Sequence, residues 1–223
     1  MDNKTLFQEK NARLNNNNTD LSSILNTINN LPSAGGGVDN TYLYDFINND
    51  LTSFENSDLT SIESYGLAYK TKLTSISLPN VTTIGDRAFM QCTSCTSINL
   101  PALQTTKTFA FNSMTSLEEA VFPEVTNMSH NCFVSCSKIK KVDFHKITYF
   151  GFSIFSGCTN FETLIVRTPS VAQMGSSNLL TNTKIAGGTG YIYVPDNLVD
   201  SYKTATNWST YASQIKGLSE LSE

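Results

Sequence analysis

The chain repeats itself every 22 residues. The segment LTSISLPNVTTIGDRAFMQCTS begins at Leu73, and CTSINLPALQTTKTFAFNSMTS follows it with its apolar positions kept and many polar positions changed. Five apolar columns keep this step without a gap between Leu51 and Val166. The five columns begin at Leu51, Phe54, Leu59, Leu67 and Leu78. One copy has too few apolar residues to form a core, so the copies must stack on one another to bury them.

The period predicts a leucine-rich-repeat solenoid with one parallel strand per coil and five to six coils over residues 51–166. Within each copy, a run such as LTSISLP alternates apolar and polar residues, which is typical of a strand. Pro79, Pro101 and Pro123 follow these runs and end them, because proline has no N–H to donate to a sheet. The later part, IGDRAFMQCTS, has apolar residues at helical spacing, so we expect a short helix or helical turn there.

The five cysteines fit the repeat better than a metal site. They occupy apolar columns: Cys92, Cys136 and Cys158 in one, Cys132 in a second, and Cys95 in a third. Free cysteine behaves as a small buried apolar residue, so we predict buried thiols. Cys136 and Cys158 lie in adjacent coils, roughly 5 Å apart by strand spacing, so a disulfide between them stays an alternative. The paired ligand spacing of a zinc site is missing.

The segment from Leu73 to Cys92 resembles the repeat of the BspA-like leucine-rich-repeat family. The shared pattern is L-x-x-I-x-L-P-x-V-x-x-I-G-x-x-A-F-x-x-C, and this segment matches it almost letter for letter. The match weakens later, where FHKI at residues 144–147 replaces LPxV and Ile154 replaces the alanine. The resemblance covers residues 51 to about 166. It implies the solenoid fold and, for function, surface attachment and the binding of proteins or glycans.

The C-terminal residues 184–223 do not follow the repeat, and we interpret them as a small α/β cap on a solenoid of residues 51–183. A strand is predicted at residues 191–194, followed by a helix entered at Pro195 and Asp196 with Tyr202 on its apolar face. An open solenoid end would expose its core, so a cap is required. Trp208, the sole tryptophan, fits packing inside this cap better than stacking on a ligand.

The N-terminal residues 1–34 predict a helix that associates with copies of itself. Its apolar residues follow a heptad step, and a single helix this rich in asparagine would be marginal. The predicted oligomerisation residues are Phe7, Leu14, Leu21, Ile24, Ile28 and Leu31. We favour a trimer, and packing of this helix on its own solenoid is the alternative. Residues 35–50 are predicted to form a Gly-rich joint and an N-terminal cap.

The composition offers little for catalysis or for nucleic-acid binding. Charged residues are 15% of the chain and the net charge is −4, so a basic face for phosphates is not expected. His130 and His145 lie in different repeat columns without a metal-ligand pattern around them. We therefore expect no enzymatic activity, no cofactor and no metal. The first residues show no secretory signal and no run approaches the length of a membrane span, so we expect no membrane insertion.

The outward positions of the strands are the candidate binding surface. They place acidic residues beside basic ones in ladders, which we interpret first as ordinary surface pairs. The alternative is a ligand-facing strip whose lysines meet an anionic cell-wall polymer. This strip consists of Glu118, Glu119, Lys138, Lys140, Lys141 and Lys146.

A self-associating helix, a Gly-rich joint and a repeat domain together resemble an accessory protein of a phage tail or capsid. We therefore predict a non-enzymatic virion protein, made in the host cytoplasm, whose repeat surface recognises a host envelope. Its expected partners are itself, other virion proteins, and a bacterial cell-wall polymer or surface protein. The alternatives are a bacterial cell-surface adhesin and a purely structural virion decoration without a host ligand.

Overall fold

The computed structural model describes residues 51–221, which form a parallel β-solenoid of about eight turns. The predicted N-terminal helix, its six oligomerisation residues and the Gly-rich joint lie outside the described residues. The predicted solenoid with a 22-residue period is confirmed, because most strands pair with a strand 22 residues further along the chain. In the pair formed by the first two coils, for example, Ser53 lies opposite Ser75.

The first face of the solenoid carries one strand from each coil. Its strands are β1 (Ser53–Glu55), β3 (Ser75–Ser77), β5 (Ser97–Asn99), β7 (Glu119–Phe122), β9 (Lys141–Phe144), β11 (Thr163–Val166), β13 (Tyr191–Val194) and β14 (Ile215–Gly217). The apolar columns stack inside this face, as the repeat predicts. Leu78, Leu100 and Phe122 are all buried.

A second face adds a two-residue strand to six of the coils, where the sequence predicts one strand per coil. Its strands are β2 (Ser61–Ile62), β4 (Thr83–Ile84), β6 (Thr105–Thr106), β8 (Asn127–Met128), β10 (Tyr149–Phe150) and β12 (Gln173–Met174). They pair in parallel as one six-stranded sheet. Each strand is too short to show an alternating pattern in the sequence, and hydrogen bonds from the neighbouring coils define it.

The third side of each coil consists of turns, where the sequence predicts a helix or helical turn. Two residues per coil, such as Arg87 and Gln91, have φ values of 53° and 59°. This left-handed backbone interrupts an α-helix. Bonds such as Met90 N–H to Arg87 O at 3.1 Å close the turns. Other N–H groups in the turns donate to the next coil, as Phe89 does to Ala110 at 2.8 Å.

A single apolar core runs through the described coils from Leu51 to Ile215. Phenylalanine rings stack along its axis, with the Phe111 ring centroid 5.5 Å from that of Phe89 and 4.9 Å from that of Phe133. All five cysteines lie in this core as free thiols, as predicted, and the alternative disulfide is not formed.

The C-terminal residues continue the first face before they close it. β13 pairs with β11 and β14 pairs with β13, so two strands of the predicted cap extend the same parallel sheet. The strand and helix predicted from the sequence are present, since β13 is followed by a 3₁₀ turn at Asp196–Leu198 and by α1 (Val199–Thr204). Further 3₁₀ segments cover Trp208–Gln214 and Leu218–Glu220.

Candidate functional site

Charged side chains on the first face form a ladder that alternates in sign from coil to coil. Lys140 Nζ lies 2.8 Å from Glu118 Oε2, and Lys184 Nζ lies 2.6 Å from Glu162 Oε2. The hydrogen bond with Lys140 lowers the pKa of Glu118, and the same bond raises the pKa of Lys140. Successive members are 22 residues apart, so the order along the face is Glu118, Lys140, Glu162 and Lys184.

Two more lysines of the predicted strip also have acidic partners. Lys141 Nζ lies 3.1 Å from Glu119 Oε2, and Lys146 Nζ lies 2.8 Å from Glu124 Oε2. Lys138 is exposed, and its charge makes a smaller contribution to the lowered pKa of Glu118. Three of the four lysines of the strip are thus paired with glutamates, which offsets most of the strip's positive charge. A role for these lysines in binding an anionic polymer stays a prediction.

The first face is interrupted between the third and fourth coils described. The order of strands places β5 at the end of a three-stranded sheet and β7 at the start of a five-stranded one. In other coils a regular bond precedes the strand, such as Thr96 N–H to Thr74 O at 2.9 Å and Lys140 N–H to Glu118 O at 2.8 Å. No backbone hydrogen bond joins Glu118 N–H to Thr96 O in the same way.

The interruption is confined to the first face. On the second face, β6 and β8 of the same two coils remain paired. On the turn side, Phe109 N–H donates to His130 O at 3.1 Å and Phe111 N–H donates to Cys132 O at 2.9 Å. Two sides of the coils are therefore closed, while β5 and β7 leave their facing edges open.

A groove of about 600 Å³ lies along this interruption. Its walls combine apolar and polar side chains, including Thr96, Ile98, Glu118, Glu119, Ala120 and Val121. Val121 has 49% of its surface exposed, and Ile98 is only partly buried. Two members of the predicted strip, Glu118 and Glu119, line the groove, whereas the predicted lysines do not.

Sequence reasoning missed the groove, although the repeat contains a signal for it. Ala120 is the smallest residue in a column that otherwise holds larger apolar residues, such as Ile98 and Val142. Val121 is an apolar residue at an outward position where the coils on either side have Asn99 and Asp143. A small core residue beside an exposed apolar one marks the position of the open edges.

Sequence reasoning also missed a partly buried ion pair on the same face, between Asp143 and Arg167. Asp143 is 7% exposed, and its carboxylate accepts one bifurcated hydrogen bond from Arg167 Nε–H, at 3.0 Å to each oxygen, and a second from Nη2 at 2.8 Å. The hydrogen bonds to Asp143 raise the pKa of Arg167. His145 Nε2 lies 3.6 Å from the same carboxylate. The pair is 24 residues apart, so the 22-residue step does not reveal it.

On the turn side, aromatic rings of successive coils contact side chains of the neighbouring coil. The Arg87 guanidinium lies 4.7 Å from the centre of the Phe109 ring. The His130 and Phe152 rings stack with centroids 3.7 Å apart, and Phe152 N–H donates to His130 Nδ1 at 3.0 Å. The His130 ring and the facing side of the Phe152 ring therefore cover each other, while Phe152 keeps 42% of its surface exposed. His130 therefore has a structural role in the turns.

Burial makes the cysteine thiols unreactive, because it raises their pKa. Desolvation raises the pKa of Cys92 and of Cys132 to about 12, and that of Cys95 to about 11. A protonated buried thiol is a poor nucleophile and a poor metal ligand. Among residues 51–221, no group of three His, Cys, Asp or Glu side chains is placed to hold a metal ion. Within the same residues, no helix has the length and apolar character to span a bilayer.

The stacked coils define a repeat protein of the parallel solenoid class. A family profile described as the BspA type leucine rich repeat region matches residues 40–185 in six copies. The chain belongs to this family, as the resemblance seen in the sequence implied. No curated protein matches the chain.

Two bacterial proteins are among the solved structures that are similar to this chain. A leucine rich repeat protein of T. pallidum (TpLRR) is 26% identical over 53% of this chain and 59% of its own, with a TM-score of 0.50. The pneumococcal vaccine antigen PcpA is 17% identical over 74% of this chain and 40% of its own, with a TM-score of 0.56. The second likeness shows the fold alone. The chain thus spans about three fifths and two fifths of the lengths of these relatives.

Proposed function

We propose that the protein is a non-enzymatic recognition protein that presents the first face of its solenoid to a bacterial envelope. The observation that carries this proposal is the open groove between β5 and β7, which lies on the same exposed face as the charge ladder. Two closed sides and a continuous core hold this face in a fixed shape. A rigid face lowers the entropy cost of binding, because little has to be ordered when a partner arrives.

Membership of this family supports a binding role, and surface attachment is what the resemblance seen in the sequence implies. The setting that we propose is a phage tail or capsid, in which the N-terminal heptads join copies of the chain and the Gly-rich joint frees the solenoid to reach the host. A bacterial surface adhesin would be displayed on the bacterium itself and would bind its partner through the same face. A virion decoration would use the N-terminal helix alone.

Binding to cells tests the proposal directly. Fluorescent full-length protein is incubated with a panel of bacterial cells, with purified cell-wall polymer and with isolated surface proteins. Saturable binding to at least one of these supports recognition. If the protein binds no host cell and no polymer but is still incorporated into a phage particle, the recognition proposal fails. The result then favours a purely structural virion protein.

The predicted lysine strip is tested in the same assay. The double change Lys140→Glu and Lys141→Glu reverses two charges of the strip, and Lys107→Glu is the control because Lys107 is an exposed lysine outside the strip. If an anionic polymer binds at the strip, the double variant binds it more weakly and with a flatter salt dependence. Equal binding by all three proteins would place the polymer elsewhere.

A further inference from the structure

Two aromatic residues of one coil occupy positions that are polar in the coils before it. Tyr149 is an outward residue of β10, and Phe152 lies where the turn side begins. In the four preceding coils, the equivalents of Tyr149 are Ser61, Thr83, Thr105 and Asn127. The equivalents of Phe152 are Ser64, Asp86, Thr108 and His130. Since polar residues serve at both positions elsewhere, the repeat itself requires no ring at either of them.

The Phe152 ring is held in place although 42% of the residue's surface is exposed. On one side it stacks on the His130 ring, and Phe152 O accepts a hydrogen bond from Asn131 N–H at 3.1 Å. On the other side, the corresponding place of the next coil has Ser176 and Ser177, so no ring there continues the stack. A ring that is already fixed loses little entropy when a ligand stacks on it.

Gly175 keeps the next coil free of a side chain beside these rings. A Cβ atom at Gly175 would lie 2.8 Å from Tyr149 Oη and 3.1 Å from Phe150 O, closer than real contacts allow. The Tyr149 phenol therefore reaches across to Gly175, which directly precedes the two serines next to Phe152. Both rings thus border the same short segment of the next coil.

The surroundings of the two rings are polar but uncharged. The cap meets this corner through hydrogen bonds from Asn207 Nδ2 to Met174 O at 2.7 Å and from the Tyr211 hydroxyl to Ser177 O. The four segments that meet here contain no Asp, Glu, Lys or Arg, and they are residues 127–131, 148–153, 173–178 and 207–211.

Amide and hydroxyl groups are exposed around the rings. Gln173, Ser177 and Asn178 all have exposed side chains. Ser153 N–H donates to Asn178 Oδ1 at 3.2 Å, so this amide is held with its Nδ2 as the donor that remains. We call Tyr149, Phe152 and residues 173–178 the aromatic corner.

A neutral saccharide is the ligand that matches the aromatic corner. One face of a pyranose ring presents C–H groups, which pack on an aromatic ring because the ring face has a partial negative charge. Its hydroxyls donate and accept hydrogen bonds, as amide and hydroxyl side chains do. An anionic polymer would find no lysine or arginine in these segments, and an apolar ligand would leave the amides without partners.

We propose that the aromatic corner binds a neutral saccharide, with a pyranose ring stacked on Phe152 beside the Tyr149 phenol and its hydroxyls bonded to Gln173 and Asn178. The inference goes beyond the proposed function, because the corner lies where the second face meets the turn side and the first face has no part in it.

A glycan array with the full-length protein tests the proposal. The array holds neutral oligosaccharides of hexoses and of N-acetylhexosamines, with polyglycerol phosphate as the anionic comparison. Isothermal titration calorimetry then measures the affinity for each saccharide that is bound. We expect saturable binding of at least one neutral saccharide, with a Kd on the order of 0.1–1 mM.

Variants taken from the repeat itself locate the site without disturbing the fold. Phe152→Ser and Tyr149→Thr each introduce a residue that the same column has in another coil. Phe152→Ser should weaken saccharide binding at least about tenfold and Tyr149→Thr about threefold, whereas Phe152→Tyr keeps the ring and should stay within about twofold of the wild type. Val121→Ser is the matched control, since Val121 is an exposed apolar residue of the first face, and it should leave the affinity unchanged.

Three results would overturn the inference. The first is the absence of saturable binding by any neutral saccharide up to roughly 10 mM, and the second is wild-type affinity of the Phe152→Ser variant. The third is loss of binding to isolated surface proteins by Phe152→Ser when no saccharide is bound, which would make the corner a protein contact.

The outcome is separate from that of the cell-binding assay. Protein that binds cells but no neutral saccharide retains the proposed function and loses this site. Protein that binds a saccharide at the aromatic corner but no cell and no envelope component retains the site and loses the proposed function.

Discussion

At the residue scale, each column of the repeat gives equivalent residues equivalent surroundings. The phenylalanine column shows this clearly, since the rings of Phe89, Phe111, Phe133 and Phe155 are all fully buried and stack on one another in turn. Offset stacking of aromatic rings adds to the burial of their surface. A single residue in the middle of the column therefore contacts the coil before it and the coil after it.

Replacement of Phe111 by alanine should lower the free energy of unfolding by roughly 3–5 kcal/mol, because it opens a cavity between two stacked rings. Phe152→Ala is the matched control, since Phe152 is 42% exposed, and its loss should cost less than about 1 kcal/mol. Urea unfolding followed by circular dichroism measures both. A cost for Phe111→Ala no greater than that of the control would mean that the column carries no stability.

The buried thiols should make the protein less stable at alkaline pH. An unfolded thiol loses its proton near its ordinary value of 9.0, whereas burial raises the pKa of Cys92 and Cys132 to about 12 in the folded protein. Between pH 9 and 12 the unfolded state therefore holds fewer protons, so stability falls as the pH rises. Each such thiol contributes a loss of up to roughly 1.4 kcal/mol per pH unit in this window.

The variant Cys132→Ala tests this dependence. Alanine fits the column, because Ala88 and Ala110 occupy it in the preceding coils. The free energy of unfolding at pH 8, 9 and 10 should fall less steeply for this variant than for the wild type. Met114→Leu, which removes no thiol, should show the wild-type slope. Identical slopes for all three proteins would contradict the attribution to the thiols.

At the scale of elements, hydrogen bonds between coils decide what each segment becomes. The segment with helical spacing forms turns, because its alternate N–H groups donate to the next coil rather than to the preceding turn of a helix. The C-terminal strands β13 and β14 join the first face for the same reason, since the open edge of β11 accepts a further strand. The end of the core is then covered by α1 and the 3₁₀ segment that begins at Trp208.

Trp208 is the residue that most firmly attaches this cover, in agreement with the packing role predicted for it. Its Nε1–H donates to Ala172 O at 2.7 Å, and its ring makes edge contacts with Tyr202 at 5.0 Å and Phe150 at 5.8 Å between centroids. Trp208→Ala should cost roughly 3–5 kcal/mol. Trp208→Phe keeps most of the packing and loses the hydrogen bond, so it should cost less, about 1–3 kcal/mol.

Thermal and urea unfolding by circular dichroism distinguish the two variants. If Trp208→Ala unfolds at the wild-type midpoint, the C-terminal segment does not stabilise the end of the solenoid. If both variants lose the same amount, the hydrogen bond matters more than the packing of the ring.

At the scale of the whole molecule, the described coils form a rod with one core and different sides. Its first face has charges and an open groove, its second face is a continuous six-stranded sheet, and its third side consists of turns. Such a rod has no internal site where distant residues converge. Partners meet it along its sides, so the number of copies presented together affects how strongly it binds.

The N-terminal heptads predict that copies are presented together. Full-length protein should be an oligomer, with a trimer favoured, whereas a chain that starts at Val38 should be a monomer, because the heptad residues have been removed. Light scattering on both proteins measures the mass. A monomer in both cases would refute the coiled coil, and an oligomer in both would place the contact in the solenoid itself.

The sequence alone was enough to predict the period, the identity of the core and the position of the first-face strands. A strict 22-residue spacing of apolar residues can be buried in one arrangement, with each copy stacked on the last. Leu73 and Phe111 could therefore be assigned to the core without a structure, as could the five thiols. The strand and helix after residue 190 were also predictable, because their apolar patterns are local.

The tertiary structure decided which backbones come close enough to pair. Whether β5 forms hydrogen bonds with β7 depends on how the core beneath them packs. The distance between these two backbones cannot be obtained from the spacing of residues in the sequence. The same holds for the partners of Lys140 and Lys141, for the bond between Asp143 and Arg167, and for the turns that replace the expected helix. Hydrogen bonds and ion pairs form over about 3 Å, so small shifts between coils decide them, whereas burial of apolar residues tolerates such shifts.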